Sequence, residues 1–226
     1  MADKEILIFV EGPSDKVFLE VYLYFLEDIP IKNFKVKDVT GKDNLSKRLL
    51  ETEKYAKTLI IFDADKNYES NKKEILSKTQ QKITEEQIFL FPNNQDDGDL
   101  ETLLLEIAKH KEIIQCFKRY LKCIECKYIG IKEHHELIKN IRKNMLYAYL
   151  EVFELQKFFQ YEWDINNKKN EKKIIIDDKG KIKEKNKEEY EKLKEVIDFN
   201  SKSLIPLKNF LGQFAENNQK TKLKIF

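Results

Sequence analysis

Three short apolar segments of the chain are each followed by acidic side chains, whose oxygen atoms are the ligands that Mg²⁺ and Mn²⁺ prefer. In chain order, the segments and their acids are 6–10 with Glu11 and Asp15, 58–62 with Asp63 and Asp65, and 88–91 with Asp96, Asp97, Asp99 and Glu101. Each apolar segment is typical of a buried strand. Open parallel sheets bind ligands beyond the carboxyl ends of their strands, so acids from three strand ends can meet there. Carboxylates held together repel one another unless a positive group lies among them, and the pattern therefore predicts a divalent-metal site.

A second interpretation of some of these acids is that they only stabilise the starts of helices, where negative charge is favourable. It suits Glu11 and Asp15, which border a predicted helix start, and Asp99, which is a predicted N-cap. It suits Asp63 and Asp65 less well, because they lie together at a strand end and repel each other unless they are neutralised. For this pair the sequence favours metal binding.

Strands and helices alternate along the first half of the chain, and these elements must position the acids. Strands are predicted at 5–10, 33–39, 58–62 and 87–91, with helices at 15–27 and 45–55, a polar loop and helix within 67–83, and a further helix from Leu100. This alternation predicts an α/β fold, in which helices flank a parallel, Rossmann-like sheet. Ser14 and Asp99 are the predicted N-caps of the first and last of these helices.

The pattern changes near residue 110, where strands give way to helical sequence that is rich in apolar and aromatic residues. We therefore predict a sheet domain at 1–110 and a mainly helical extension at 111–226. Within the extension, 166–195 is a Lys-, Asn- and Glu-rich insert that is expected to be mobile, with a small hairpin at 173–182. A last apolar segment, 204–214, is expected to dock on the body of the protein.

The chain of 226 residues has a formal net charge of only +2, but its charges are unevenly distributed. Residues 1–100 hold 15 Lys and Arg against 20 Asp and Glu, a net charge of −5, and residues 101–226 hold 27 against 20, a net charge of +7. An acidic half joined to a basic half suits a polyanionic substrate such as nucleic acid. The sequence equally allows a simpler interpretation, in which the Lys-rich helices only keep the protein soluble.

The cysteine count and the start of the chain indicate the cellular compartment in which the protein is expected. Three cysteines, an odd number, argue against the disulfide framework of a secreted protein. The chain starts with Met-Ala-Asp-Lys-Glu and runs directly into a strand, and no apolar run is long enough to span a membrane. We therefore expect a soluble, cytoplasmic protein without a membrane partner. The sequence leaves the oligomeric state open, and a homodimer is among the assemblies that it allows.

A second group of metal-type residues lies in the helical extension, where Cys123 and Cys126 have the spacing of a zinc-binding pair. The other Cys and His residues near this pair are Cys116, His110, His134 and His135. Their spacing is irregular and much of it falls in helical sequence. Buried thiols in a helix are therefore favoured over a zinc site.

The order of the acidic segments resembles that of Toprim domains, the catalytic modules of DnaG-type primases, topoisomerases and overcoming-lysogenization-defect nucleases. In that family a Glu closes the first strand and an Asp-x-Asp pair closes a later one, like Val-Glu-Gly-Pro-Ser-Asp at 10–15 and Phe-Asp-Ala-Asp at 62–65 here. The resemblance covers about residues 4–110. A closer resemblance is to small, stand-alone Toprim-like proteins related to these nucleases. They share Gly-Lys-Asp-Asn at 41–44, Phe-Pro-Asn-Asn at 91–94, Gly-Asp-Leu-Glu at 98–101 and an apolar segment similar to 204–211.

The resemblance implies roles for five acids. Asp63 and Asp65 would hold a divalent ion, Mg²⁺ or Mn²⁺, and Glu11 would be either a further ligand or the group that transfers a proton. Asp15 occupies the place of a second metal-binding acid, and Glu101 either serves a second metal or is only a first-turn helix acid. Two ions about 4 Å apart would clamp the attacking water and the leaving oxygen of a phosphodiester. Neighbouring acids would raise the pKa of Glu11, which suits acid–base work.

Two lysines lie near the same edge of the predicted sheet. Lys42 is in the turn after the second strand, and Lys66 directly follows Asp65. Lys42 is a candidate catalytic residue that contacts a phosphate of the substrate. An ordinary, exposed turn lysine is an equally good interpretation of both.

These features favour a Mg²⁺- or Mn²⁺-dependent nuclease, a phosphodiesterase that acts on DNA or RNA. The alternative is a non-catalytic Toprim-like protein that binds nucleic acid or phosphate and acts as a regulator or with a separate partner protein. The complete acidic set favours the enzyme, because a pure binding module has no need of Glu11 beside Asp63 and Asp65. The sequence has no Gly-x4-Gly-Lys-Ser/Thr loop, so any ATPase partner would be a separate chain.

Overall fold

A four-stranded parallel sheet organises the protein in the computed structural model. The residues that the structure describes are 5–25, 34–80, 82–127, 141–156, 158–160 and 184–214. The strands are β1 (Ile6–Val10), β2 (Phe34–Asp38), β3 (Lys57–Asp63) and β4 (Ile88–Phe91), which are all parallel and lie in the order β2-β1-β3-β4. The predicted α/β fold with a parallel, Rossmann-like sheet is confirmed.

Both faces of the sheet are buried, which explains why the central strands are continuously apolar. Successive side chains of a strand point to opposite faces. Ile8 and Val10 accordingly belong to one hydrophobic cluster, and Leu7 and Phe9 belong to another. Helices must therefore cover the sheet on both sides.

Helices provide that cover on each face. The described α-helices are α1 (Pro13–Phe25), α2 (Leu45–Arg48), α3 (Tyr68–Lys78), α4 (Leu100–Glu106), α5 (Lys111–Lys127), α6 (Ile141–Val152), α7 (Glu184–Val196) and α8 (Ile205–Gly212), with short 3-10 helices at Lys42–Asn44, Leu49–Lys54, Glu85–Gln87, Phe158–Gln160 and Lys202–Leu204. Side chains of α1 and α4 join the cluster that contains Ile8, and side chains of α2 and α3 join the cluster that contains Leu7. None of these described helices combines the length and the apolar character that crossing a membrane requires.

The two predicted N-caps have different outcomes. α1 begins at Pro13, two residues before its predicted start, so Ser14 lies inside the first turn and does not cap the helix. Proline is favourable there, since the N–H that it lacks would have no partner in the helix. Asp99 caps α4 as predicted, because its Oδ1 atom accepts a hydrogen bond of 2.8 Å from the backbone N–H of Thr102.

The described helices after residue 110 share a core with the sheet. Tyr149 of α6, Leu193 of α7 and Phe210 of α8 are buried in the same cluster as Ile8. The rings of Phe89 and Phe210 lie 5.4 Å apart, so α8 packs directly on β4. The expected docking of the last apolar segment is thus confirmed, while the domain boundary at residue 110 stays a prediction.

α7 covers the end of the Lys-rich segment 166–195, which the sequence predicts to be mobile, and extends one residue beyond it to Val196. Leu193 is fully buried and Val196 is 2% exposed. This part of the segment is therefore a helix docked on the core, because a few apolar side chains anchor it despite its low-complexity composition. The hairpin predicted at 173–182 lies outside the described residues.

Candidate active site

The strand register brings Glu11 and Asp63 to the same edge of the sheet. Val10 lies beside Ile61 in the pairing of β1 with β3, and Asp63 lies beside Phe91 in the pairing of β3 with β4. Glu11 directly follows Val10. The chain crosses from β2, on one side of β1, to β3 on the other, so the two acids flank the switch point of the sheet. Open α/β sheets bind ligands at such a point.

The carboxylate of Asp63 connects the end of β3 to the start of α4. Its Oδ1 atom accepts a hydrogen bond of 2.9 Å from the backbone N–H of Leu100. Burial raises the pKa of Asp63 well above its ordinary value. Three neighbouring acids raise this pKa further, namely Asp15, Glu11 and Glu101. The surroundings of Asp63 therefore disfavour its charged form unless a cation is present.

Asp15 is an almost fully buried acid in the first turn of α1, and only 9% of the residue is exposed. Its Oδ2 atom accepts a hydrogen bond of 2.8 Å from the backbone N–H of Gly12, in the turn between β1 and α1. Burial raises the pKa of Asp15 to about 7, although the Gly12 hydrogen bond opposes the rise. The charges of Glu101 and Glu11 add to it.

Glu11 has one buried carboxylate oxygen without a hydrogen-bond partner. No residue in the described ranges donates a hydrogen bond to its Oε2 atom, and the Nζ atom of Lys42 lies 3.9 Å from this oxygen. Burial raises the pKa of Glu11, the Lys42 ammonium opposes the rise, and the charge of Asp65 adds to it. A buried acceptor without a partner is costly, and a bound cation would satisfy it.

Glu101 lies in the first turn of α4, close to the Asp99 cap. Burial raises the pKa of Glu101, and the charge of Asp99 adds to the rise. The basic groups of Lys143 and Arg142, both from α6, oppose it. Because the charge of Glu101 also acts on Asp63, this helix acid is part of the group at the strand ends.

Four acids form one electrostatically coupled group, which we call the acidic cluster: Glu11, Asp15, Asp63 and Glu101. Burial is the main cause of the raised pKa of each member. A divalent cation would offset both this burial and the mutual repulsion, and carboxylate oxygens suit Mg²⁺ or Mn²⁺. The donor set thus fits a divalent cation, although nowhere in the described part of the chain are three His, Cys, Asp or Glu side chains already grouped to hold a metal ion.

Asp65 lies beside Lys42 at the same edge of the sheet. Its φ is 54°, and its backbone N–H donates a hydrogen bond of 2.7 Å to the carbonyl oxygen of Gly98. Its carboxylate forms an ion pair with the Lys42 ammonium, and 52% of its side chain is exposed. The two acids of the Asp-x-Asp pair therefore have different surroundings, with Asp63 in the acidic cluster and Asp65 paired to a lysine.

Lys42 is held by other side chains and is not an ordinary exposed turn lysine, since only 12% of its side chain is exposed. Its Nζ atom contacts the Asp65 carboxylate and donates a hydrogen bond of 3.1 Å to Oδ1 of Asn71. It also lies 3.9 Å from Oε2 of Glu11. Lys42 thus supplies a fixed positive charge at the border of the acidic cluster, whereas Lys66 is exposed.

Three polar residues beside the site carry no signal in the sequence: Asn71, Arg142 and Lys143. Asn71, from α3, accepts from Lys42 and donates from Nδ2 to the backbone carbonyl of Ala64. Arg142 and Lys143 come from α6, whose position against α4 depends on tertiary packing. Identifying them requires knowledge of which helices meet at this edge of the sheet, and no local motif provides it.

The expectation of buried thiols is wrong for Cys116 and Cys123, which are free and exposed on α5. The buried side of this helix is provided by Ile114, with Phe117 packed partly against the core. The two cysteines are seven residues apart, which is about two helical turns, so they lie on the same face of α5. That face is exposed and is not the one that Ile114 buries. The side chain of Cys126 and the segment with the two remaining histidines lie outside what the structure describes.

The sheet order and its helical cover define a Rossmann-like α/β protein with acidic side chains at its switch point. The chain belongs to the family described as protein of unknown function (DUF3226), whose sequence profile matches residues 5–216. The match includes the sheet and the described helices after residue 110. No curated protein and no solved structure matches the chain.

Proposed function

We propose that this protein is a Mg²⁺- or Mn²⁺-dependent phosphodiesterase of the nuclease type, which cleaves DNA or RNA at the acidic cluster. The observation that carries the proposal is the electrostatic grouping of four acids at the switch point of the sheet, of which Asp15 is buried and Glu11, Asp63 and Glu101 are half-buried. The buried Oε2 atom of Glu11, which lacks a hydrogen-bond partner in the described ranges, supports it further. The resemblance of about residues 4–110 to Toprim nucleases points to the same activity.

The members of the acidic cluster would have different roles in such a site. Asp63, Asp15 and Glu101 would hold the divalent cation through their carboxylates. When bound, this cation stabilises the negative charge that develops on the phosphodiester oxygens. Asp63 also connects the end of β3 to the start of α4, because its carboxylate accepts a hydrogen bond from the backbone N–H of Leu100. It therefore orders the site as well as contributing charge.

Glu11 is the best-placed residue to accept a proton from the attacking water. Burial raises its pKa above that of an ordinary Glu, and a raised pKa makes its carboxylate a better proton acceptor. Its Oε2 atom has no competing hydrogen bond in the described part of the chain. Glu11 would otherwise serve as a further ligand of the cation.

Lys42 would stabilise the negative charge of the phosphate during cleavage. Asp65 and Asn71 hold its ammonium group, which therefore needs little reorganisation when the substrate binds. Preorganised charge of this kind is usually worth several kcal/mol of barrier, about 3 kcal/mol for one hydrogen-bond donor. In this account Asp65 positions Lys42.

One observation favours a second candidate function, a non-catalytic module that recognises phosphate. The Lys42 ammonium already neutralises Asp65 and approaches Glu11, so part of the site is charge-balanced without a metal ion. A module of this kind would bind nucleic acid and act through a separate partner protein. It would need Lys42 but would not need the complete acidic cluster.

Cleavage assays distinguish the two candidates. Plasmid, linear and single-stranded DNA and an RNA are incubated with the protein in Mn²⁺, Mg²⁺ or EDTA, and Glu11→Gln and Asp63→Asn are compared with the wild type. Glu53→Gln is the matched control, because Glu53 is exposed and pairs with Lys82. We expect metal-dependent cleavage by the wild type and the control, and its loss in both site variants. Metal binding without cleavage of any substrate would favour the second candidate.

A further inference from the structure

Helix α6 brings two basic residues to the border of the acidic cluster. Met145 and Leu146 of α6 are buried with Leu103 and Leu104 of α4 in one hydrophobic cluster, which fixes the two helices against each other. α4 is also the helix that carries Glu101 of the acidic cluster. The residues just before Met145 are therefore held near the acids by packing and not by a flexible loop.

The guanidinium of Arg142 is tied to the start of α4. One of its terminal nitrogen atoms lies 3.0 Å from Oδ2 of Asp99, and the other donates a hydrogen bond of 3.2 Å to Oγ1 of Thr102. Its side chain is still 47% exposed. A guanidinium has five N–H donors, so donors remain for a ligand that approaches from solvent.

Lys143, the next residue, has no such partner among the residues that the structure describes. It is exposed, and its Nζ atom forms no ion pair with any residue in the described part of the chain. Its ammonium nevertheless opposes the rise in the pKa of both Asp15 and Glu101, so it lies within electrostatic reach of two members of the acidic cluster. Its exposed ammonium group is therefore available to bind an anion that approaches from solvent.

We propose that Arg142 and Lys143 form a binding site for a backbone phosphate of nucleic acid, next to the phosphate that is cleaved. The proposal rests on the proposed function, because it assigns the substrate contact of the same site. The packed position of α6, the free donors of Arg142 and the free ammonium of Lys143 carry it. It also gives the basic half of the chain, with its net charge of +7, a specific role beside the acidic half.

A phosphate contact has a signature that a structural role lacks. Each contact that is lost lowers the salt dependence of binding, and the slope of log K against log salt changes by about 1. Binding is measured by fluorescence anisotropy with labelled single-stranded DNA, duplex DNA and RNA in Ca²⁺, between low and moderate KCl. Lys143→Gln is the main variant, since Lys143 holds none of the described residues in place. Lys35→Gln is the control, because Lys35 is an exposed lysine in the first half of β2, away from the carboxyl ends of the strands.

We expect Lys143→Gln to weaken binding by about tenfold at low salt and to lower the salt slope by about 1, with an unchanged melting temperature. Lys35→Gln should stay within about twofold of the wild type. Inorganic phosphate at millimolar concentration should not compete, whereas unlabelled nucleic acid should. Equal affinity and slope in Lys143→Gln and wild type would overturn the inference, and so would a wild type that binds none of the probes. If the wild type binds and the variant shows the expected loss while no cleavage occurs with Mn²⁺, the phosphate site stands and the catalytic proposal fails.

Discussion

Lys42 and Asp65 form an ion pair across the carboxyl edge of the sheet, although 23 residues separate them in sequence. The pair joins the turn after β2 to the turn after β3, and Asn71 of α3 holds the same ammonium group. Lys42 is thus a fixed cation beside the acidic cluster. It follows that Lys42 should influence both the stability of the metal-free protein and the chemistry of the site.

Removal of Lys42 should destabilise the metal-free protein modestly. In EDTA we expect Lys42→Met to lower the free energy of unfolding by about 0.5–1 kcal/mol, because Asp65 loses its partner and Glu11 loses a nearby cation. Chemical denaturation of Lys42→Met, Asp65→Asn and the double variant measures the coupling. The double variant should be more stable than additivity predicts. Lys47→Met, an exposed change in the neighbouring helix, is the control. If the effects of Lys42→Met and Asp65→Asn on the free energy of unfolding were fully additive, the ion pair would contribute nothing to stability.

Asp15 should give the metal-free protein an unusual dependence of stability on pH. Its pKa is about 7 in the folded protein, against an ordinary value of 3.8. Between these two values the folded state binds more protons than the unfolded state, so the free energy of unfolding falls as the pH rises from about 4 to about 7. In EDTA, Asp15→Asn should flatten this fall and be more stable than the wild type at pH 8, by about 1–3 kcal/mol.

The Asp15 prediction is checked by denaturant melts at several pH values. An Asn at this position can still accept the hydrogen bond from Gly12, so the variant mainly removes the charge. Asp96→Asn, an exposed change in the loop after β4, should follow the wild-type curve. An Asp15→Asn curve parallel to that of the wild type would contradict the assignment.

Gly98 should tolerate a side chain less well than Gly41, although both have a positive φ, of 147° and 97° respectively. A Cβ atom on Gly98 would lie 3.0 Å from Cδ of Pro92 and 3.1 Å from Oγ1 of Thr102, whereas a Cβ on Gly41 would meet nothing within 4 Å. Gly98→Ala adds steric clash to backbone strain, and Gly41→Ala adds strain alone. We expect Gly98→Ala to cost about 2–3 kcal/mol and Gly41→Ala about 1 kcal/mol. Equal costs in thermal denaturation would contradict this account of the loop.

The sequence predicts the sheet, because strands that are buried on both faces are continuously apolar. It also predicts most of the acidic edge, because the acids directly follow the ends of these strands. It does not predict that Asp63 lies in the acidic cluster while Asp65 pairs with Lys42. At Asp65 the chain has left the strand, with a positive φ and a backbone hydrogen bond to Gly98 in the loop after β4. Local patterns contain no such information.

The contributions of α3 and α6 could not be predicted either. Asn71 and Arg142 reach the site only because their helices pack at this edge of the sheet, and helix packing depends on contacts between residues distant in sequence. Arg142, for example, bonds to Thr102, which is 40 residues away. The exposure of Cys116 has a similar cause, since it depends on which face of α5 the core covers.

The central claim is that the acidic cluster binds a divalent cation, and titration calorimetry with Mn²⁺ tests it most directly. We compare the wild type, Asp63→Asn, Asp15→Asn and the exposed control Glu53→Gln, after treatment with EDTA and dialysis. The account predicts saturable binding to the wild type and to Glu53→Gln, and a loss of affinity of at least about tenfold in both cluster variants. Absence of binding to the wild type, or equal affinity of all four proteins, would contradict it.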